Sequence, residues 1–273
     1  MRVVVDAFGG DNAPLEIIKG ASLASNELKT EITLTGKETV IRKIIIDNAL
    51  KFYGELKIVN TDDVISMHDE PTSLTRAHKN SSMALAFKEL AEGKADAFVS
   101  AGSTGAVVVG GTLIVKRIKG VKRPALAGMI PSPNGHYMLM DMGANADCRP
   151  EMLCQFGIMA DVYLKNVEGI KNPKIGLLNI GTEDTKGGEL QKAVYPLLKQ
   201  AGEAGAINFT GNIEARDVPL GGADVVVSDG FSGNILLKGI EGTALFMASM
   251  MKNMFKKNVL TKLAALLLSL IHI

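Results

Sequence analysis

The feature that most constrains this chain is a unit that recurs along it. A short run of β-branched and apolar residues leads into a glycine-rich polar turn, and the turn opens an apolar or amphipathic stretch. The fullest instance lies between Ala95 and Gly111: Ala97 to Val99 reads as a buried strand, Ser100 to Thr104 as a small-residue loop, and Gly105 onward as the start of a helix. The same order returns at Arg2 to Asp6, Lys174 to Asn179, Ile207 to Thr210 and Asp224 to Val227. Strands alternating with helices cannot pair as hairpins. They require crossovers, and right-handed crossovers give a doubly wound, mostly parallel sheet with helices on both faces.

The elements between these units fit that class. The patterning predicts helices over Leu15 to Glu27, Lys37 to Leu50, Ser82 to Ala91, Pro150 to Tyr163 and Leu190 to Gln200, and strands over Glu31 to Thr35 and Leu56 to Val59. Asp11 or Asn12 is the expected cap of the first helix, with Pro14 in its opening turn. Ala125 to Ile130 and His136 to Met140 read as a hairpin that breaks the rhythm. Hydrophobic residues make up 47% of the chain but aromatics only 5%, as suits buried parallel strands. No linker divides the sequence, so one α/β domain is expected over residues 1–267.

Charge and cysteine content exclude several classes. A formal net charge of +1 gives no basic field for nucleic acid. The two cysteines, Cys148 and Cys154, have no partner at zinc-ligand spacing and read as free thiols. The acidic loop from Asn60 to Arg76 lacks fixed ligand spacing, so no metal is expected. No secretory signal and no run of about 20 apolar residues is visible, which points to the cytoplasm.

In an open parallel sheet, ligands bind where the C-terminal strand ends line one edge. Six polar loops are expected there: Gly9 to Asn12, Ser100 to Gly105, Asp141 to Asn145, Gly181 to Lys186, Gly211 to Asp217 and Ser228 to Asn234. Free amides at helix N-termini and close-approaching glycines suit an anion. The loops supply hydroxyls from Ser100, Ser103, Thr104, Thr182 and Ser232, and amides from Asn12, Asn145, Asn212 and Asn234. They also supply carboxylates from Asp11, Asp141, Glu183 and Asp229, and cations from Lys186 and Arg216. Gly9, Gly10, Gly102, Gly105, Gly143, Gly181 and Gly233 complete the cradle. The P-loop, the dinucleotide fingerprint and the Gly-x-Ser-x-Gly elbow are missing. Anion cradles with cations but no nucleophile point to transfer onto phosphate itself. His68, His78 and His136 sit in no constellation.

The last predicted helix, Ile235 to Lys257, carries an apolar stripe at Ile240, Ala244, Met247, Met251 and Met254. A subunit interface is the expected use. Lys252, Lys256 and Lys257, followed by Leu260, Leu263 and Leu266 to Leu268, form a basic and apolar tip suited to an anionic membrane surface.

With these residues in place, the chain resembles the PlsX family of phosphate acyltransferases. The resemblance rests on Val5-Asp-Ala-Phe-Gly-Gly-Asp-Asn-Ala-Pro14, Lys79-Asn-Ser-Ser-Met83, Ser100-Ala-Gly-Ser-Thr-Gly-Ala106, Arg123-Pro-Ala125, Asp141-Met-Gly-Ala-Asn145, Leu178-Asn-Ile-Gly-Thr-Glu-Asp184, Gly211-Asn-Ile-Glu-Ala-Arg-Asp217 and Ser228-Asp-Gly-Phe-Ser-Gly-Asn234. It implies an isocitrate/isopropylmalate dehydrogenase-like fold. It also implies a reaction in which acyl-[acyl carrier protein] and phosphate give acyl phosphate and free carrier, in bacterial phospholipid synthesis. The implied roles are phosphate as substrate, phosphopantetheine on the acyl carrier protein, no required cofactor, a homodimer, peripheral membrane contact, and a downstream glycerol-3-phosphate acyltransferase. On the site, Ser103, Thr104 and Lys186 would orient phosphate, and Lys186, Asn234 and Asp229 would be catalytic. The family pattern continues past Lys262 to Leu267, and residues 268–273 read as a non-native tail on a shortened chain. A coenzyme A-dependent phosphotransacetylase and a non-catalytic carrier- or membrane-binding module are the competing readings.

Overall fold

The computed structural model describes residues 1–133, 135–257, 261–262 and 264–266. The chain forms two compact units, one from Met1 to Pro124 and one from Ala125 onward. The boundary falls where the hairpin breaks the strand–helix alternation. In place of one sheet with one binding edge there are two sheets, so two of the six polar loops belong to the first unit and four to the second.

In the first unit, β1 (Arg2–Asp6), β2 (Glu31–Gly36), β3 (Lys57–Asn60) and β4 (Ala97–Val99) lie in the order β3-β2-β1-β4. All three pairings are parallel. The helices are α1 (Leu15–Leu28), α2 (Glu38–Asp47), α3 (Ser82–Ala91) and α4 (Thr104–Gly110). Alternate strand residues face opposite ways. Val3, Val5, Ile32 and Leu34 accordingly pack with Ile18 and Ile41 of α1 and α2, while Val4 packs with Ala86 of α3. The sheet is covered on both faces, as the βα rhythm requires.

In the second unit, β5 (Ala127–Ser132), β6 (Gly135–Met140), β7 (Lys174–Asn179), β8 (Asn208–Glu214) and β9 (Val225–Val227) take the order β5-β6-β9-β7-β8. Only the β5–β6 hairpin is antiparallel. One face, built on Ile175, Leu177, Val225 and Val227, packs against α5 (Pro150–Tyr163) and α6 (Glu189–Glu203). The other, with Leu139 and Val226, receives Leu236 and Leu237 of α7 (Gly230–Phe255).

Three local expectations change. The cap of α1 is Pro14, without a side-chain hydrogen bond, so Asp11 and Asn12 stay in the exposed turn before it. Strand β8 runs on to Glu214, which places Gly211 and Asn212 on a strand and not in a loop. Helix α7 starts at Gly230, so Ser232, Gly233 and Asn234 belong to its opening turns. Of α7, the opening turns pack on the unit, and residues 241–254 are exposed on all sides. No helix among the described residues is long and apolar enough to cross a membrane. Leu260, Leu263, Leu267, Leu268 and the tail 268–273 lie outside the described residues.

Candidate active site

Each sheet edge is organised by one buried carboxylate. In the first unit this is Asp6, at the end of β1 and 1% exposed. Its Oδ1 accepts from Ser82 Oγ at 2.6 Å and from the Phe8 amide at 3.3 Å, and its Oδ2 accepts from Ser100 Oγ at 2.8 Å. One side chain thus ties β1, the start of α3 and the loop after β4. Burial pushes the Asp6 carboxyl above the usual carboxylate range, and the hydrogen bonds from Ser82, Ser100, Phe8 and Gly9 pull against it. Gly9 is required here by close approach: a Cβ would lie 2.5 Å from Asp6 Oδ2 and 2.7 Å from Ser100 Oγ. Its Cα in turn faces Gly102 across the junction of the two loops.

Several first-unit residues are therefore committed to holding these loops. Ser100 bonds to Asp6 and accepts from the Gly102 amide. Ser103 caps α4, accepting from the Ala106 amide. Gly105 packs on Pro71. Thr104, Asp11 and Asn12 are exposed. Gly10 turns the chain with a φ of +114°. His78, expected in no constellation, stands 2.8 Å from Asp63 and 3.7 Å from Asp69, which fastens the acidic loop before α3.

In the second unit the organiser is Asp141, fully buried just past β6. Its Oδ1 accepts from the amides of Leu126, Gly143 and Ala144 at 2.9 to 3.1 Å. Its Oδ2 accepts from the amide and the side chain of Asn145. The expected phosphate ligands Asp141 and Asn145 thus first of all shape their own loop.

Helix α7 is set on that loop. The Gly230 amide donates to Asn145 O at 2.8 Å. A Cβ on Gly233 would overlap the Asp141 carbonyl, so only glycine lets the helix come this near. Asp229, expected to be catalytic, is the N-cap: it accepts from Ser232 N and Ser232 Oγ, each at 2.8 Å. It is 7% exposed, and these bonds hold the start of α7. Asn234, one turn further on, is exposed, and its side chain lies beside Gly143.

The loop after β7 carries Lys186. Asn179, buried at the end of β7, donates to Lys186 O at 3.1 Å and accepts from the Ile180 amide. Asn212 reaches from β8 and donates to Glu183 O at 2.7 Å. Two amide side chains therefore pin a loop that bends at Gly187, where φ is +94°. Lys186 is exposed at its tip, and its ammonium makes no ion pair among the described residues. Arg216 is 78% exposed and pairs with Glu214 at 2.7 Å and Asp217 at 3.8 Å, so its charge is partly answered. Thr182 and Glu183 are exposed, and Gly181 packs against Lys186 and Glu183.

A cavity of about 320 Å³ opens beside this loop, between the N-termini of α6 and α7. Sequence reasoning missed it. The signal available was Ile180, an apolar residue inside a polar motif. Among the described residues no cluster of His, Cys, Asp and Glu is arranged to hold a metal. The thiols are unsuited to attack: burial raises Cys148 to about 11 and raises Cys154 as well.

Parallel strands ending in polar turns, with helix N-termini at those ends, recur in solved structures of other proteins. A phosphotransacetylase from Streptococcus pyogenes superposes with a TM-score of 0.66 at 18% identity, covering 90% of this chain and 82% of its own. A 4-hydroxythreonine-4-phosphate dehydrogenase from Burkholderia phymatum gives 0.51 at 17%, covering 87% and 83%. At these identities the likeness is one of fold.

Sequence narrows the class. Residues 1–271 match the family described as "Fatty acid synthesis protein". A "Phosphate acyltransferase" from Anoxybacillus flavithermus is 47% identical over 98% of this chain and 79% of its own length. The chain belongs to this family of phosphate acyltransferases.

Proposed function

We propose that this protein transfers an acyl group from the phosphopantetheine thioester of an acyl carrier protein to inorganic phosphate, giving acyl phosphate and free carrier. The observation that carries the reading is Lys186. Among the described residues its ammonium makes no ion pair, and it is held on a doubly pinned loop whose Gly187 and Gly188 line the same cavity as Ser232 in the opening turn of α7, which also bears Asn234.

The raised thiols of Cys148 and Cys154 agree with this reading, in which the nucleophile is the substrate phosphate. The Lys186 ammonium offsets its charge and orients it. A phosphate oxygen attacks the thioester carbonyl carbon, forming a C–O bond. The developing oxyanion is met by the Asn234 amide or by Lys186. The tetrahedral intermediate collapses, the C–S bond breaks, and the electron pair leaves with the carrier thiolate, which takes a proton from solvent. Donors aimed at such an oxyanion contribute about 3–4 kcal/mol each. Asp229 and Asp141 act by fixing α7 and its loop. No step needs a cofactor.

Lys186→Ala and Asn234→Ala are each expected to lower kcat about 100-fold or more with unchanged thermal unfolding. The assay traps acyl phosphate as hydroxamate, with the acyl carrier thioester and acyl-CoA offered in parallel. Near-normal turnover in both variants overturns these roles, and preference for acyl-CoA redirects the donor. The exposed stripe of α7 supports pairing with a second copy and peripheral contact with an anionic membrane at its cytoplasmic face. An acyl phosphate is a reactive anhydride, so a glycerol-3-phosphate acyltransferase would consume it there.

A further inference from the structure

The cavity beside Lys186 is apolar in a specific way. Its hydrocarbon walls are Leu178, Ile180, Ala215, Ile235 and Leu236. Leu178 and Leu236 are anchored from behind by the second-unit core. Ile180 and Ile235 stand at the rim, 80% and 55% exposed. Two large aliphatic side chains held in water around one hollow leave apolar surface that an apolar ligand would cover.

The polar side chains on the lining are already engaged with their neighbours. Asn179 is bonded to Lys186 O and the Ile180 amide. Gln191 accepts from the Gly188 amide. Ser232 bonds to Asp229. A pantetheine arm, with two amides to satisfy, is poorly matched to such walls, whereas a hydrocarbon chain demands nothing of them.

We infer that this hollow receives the alkyl chain of the acyl donor, lying along Ile180 and Ile235 with its thioester end toward Lys186. The inference rests on the acyl-transfer reading and adds to it the place where chain length is sensed. The hollow, at about 320 Å³, is at the small end of ligand sites, so it fills at a finite chain length.

The test is kcat/KM across saturated acyl thioesters of increasing length. In the unaltered protein it should rise about fourfold per added methylene, as for full burial of each one, and then level off when the hollow is full. Ala215→Phe, which fills the hollow, should move the levelling point to a shorter chain. Ile180→Ser changes an exposed residue and does not endanger folding. It should lower kcat/KM for the longest donor about tenfold relative to the shortest. An unchanged levelling point, or an equal loss at every length, overturns the inference. If no donor yields acyl phosphate, the acyl-transfer reading itself fails. Calorimetric binding of alkyl phosphates of graded length then judges the hollow alone. A length-dependent affinity that Ala215→Phe curtails supports it, and a flat series overturns it.

Discussion

Asp6 and Asp141 solve the same problem in opposite ways. Both are buried carboxylates at the end of a parallel strand, and both hold a glycine loop beneath a helix start. Asp6 bonds mainly to hydroxyls brought from far along the chain, those of Ser82 and Ser100. Asp141 collects four backbone amides and one side-chain amide, three of the four from the residues just after it. Hydroxyls can rotate and either donate or accept, whereas an amide N–H can only donate. The first edge is therefore a junction of elements that tolerates changes in its organiser. The second is a template whose organiser must accept at both oxygens.

The largest effect should come from Asp141→Asn. An NH2 group would face at least two N–H donors wherever it pointed, and stranding buried donors costs about 1–3 kcal/mol each. A loss of about 3–5 kcal/mol in urea unfolding is expected, and a loss below about 1 kcal/mol would erase the contrast. Gly233→Ala should follow at about 3 kcal/mol, because its Cβ meets the fixed Asp141 carbonyl. Gly9→Ala meets Asp6 Oδ2 and Ser100 Oγ, which must break their bonds to move, and the Gly102 backbone nitrogen only at 3.0 Å, so about 2 kcal/mol is expected, less than for Gly233. Equal costs for the two glycines would show that both edges yield alike.

The smallest effect should be Asp6→Asn, about 1 kcal/mol or less, since Ser100 can turn to accept. Its pH dependence sharpens the comparison. The Asp6 carboxyl is raised in the folded state, so the native protein holds that proton longer than the unfolded chain. Its contribution is fully present below the unfolded pKa and is lost as pH rises through the folded one. Asn does not titrate. The stability of the variant relative to the unaltered protein should therefore increase as pH rises upward from about 4. A gap that is constant, or that widens in favour of the unaltered protein, would contradict the raised carboxyl.

The sequence disclosed each element best where local signals agreed. Ala97–Val99, Ser82–Ala91, Pro150–Tyr163 and Lys174–Asn179 have the bounds expected, because apolar runs are closed by glycine, proline or a capping serine. Gly211–Glu214 and Gly230–Asn234 read as loops because glycines and asparagines dominate them. Yet both segments sit inside regular elements: Gly211 takes a φ of +101° within β8, and Gly233 lets α7 come close to Asp141. The Asp229-x-x-Ser232 spacing was the visible sign of a cap. The division into two sheets had no local sign except the hairpin, since strand pairing between distant segments leaves little trace in either one. At the site, residue types were legible but their uses were not. Asp229 and Ser103 carry helix-capping bonds, while Asn179, unremarked, grips the Lys186 loop.

Helix α7 has 26 residues and so extends about 39 Å, with only its opening turns seated on the core. An isolated helix of the length left over is marginal in water, because starting one is costly while lengthening one is cheap. The Asp229 cap and the seated turns supply that start, and the remainder grows from it like a cantilever from its wall. The reach of the molecule toward whatever meets its apolar stripe is thus set by a joint of a few residues at the sheet edge, the same residues that frame the proposed chemistry.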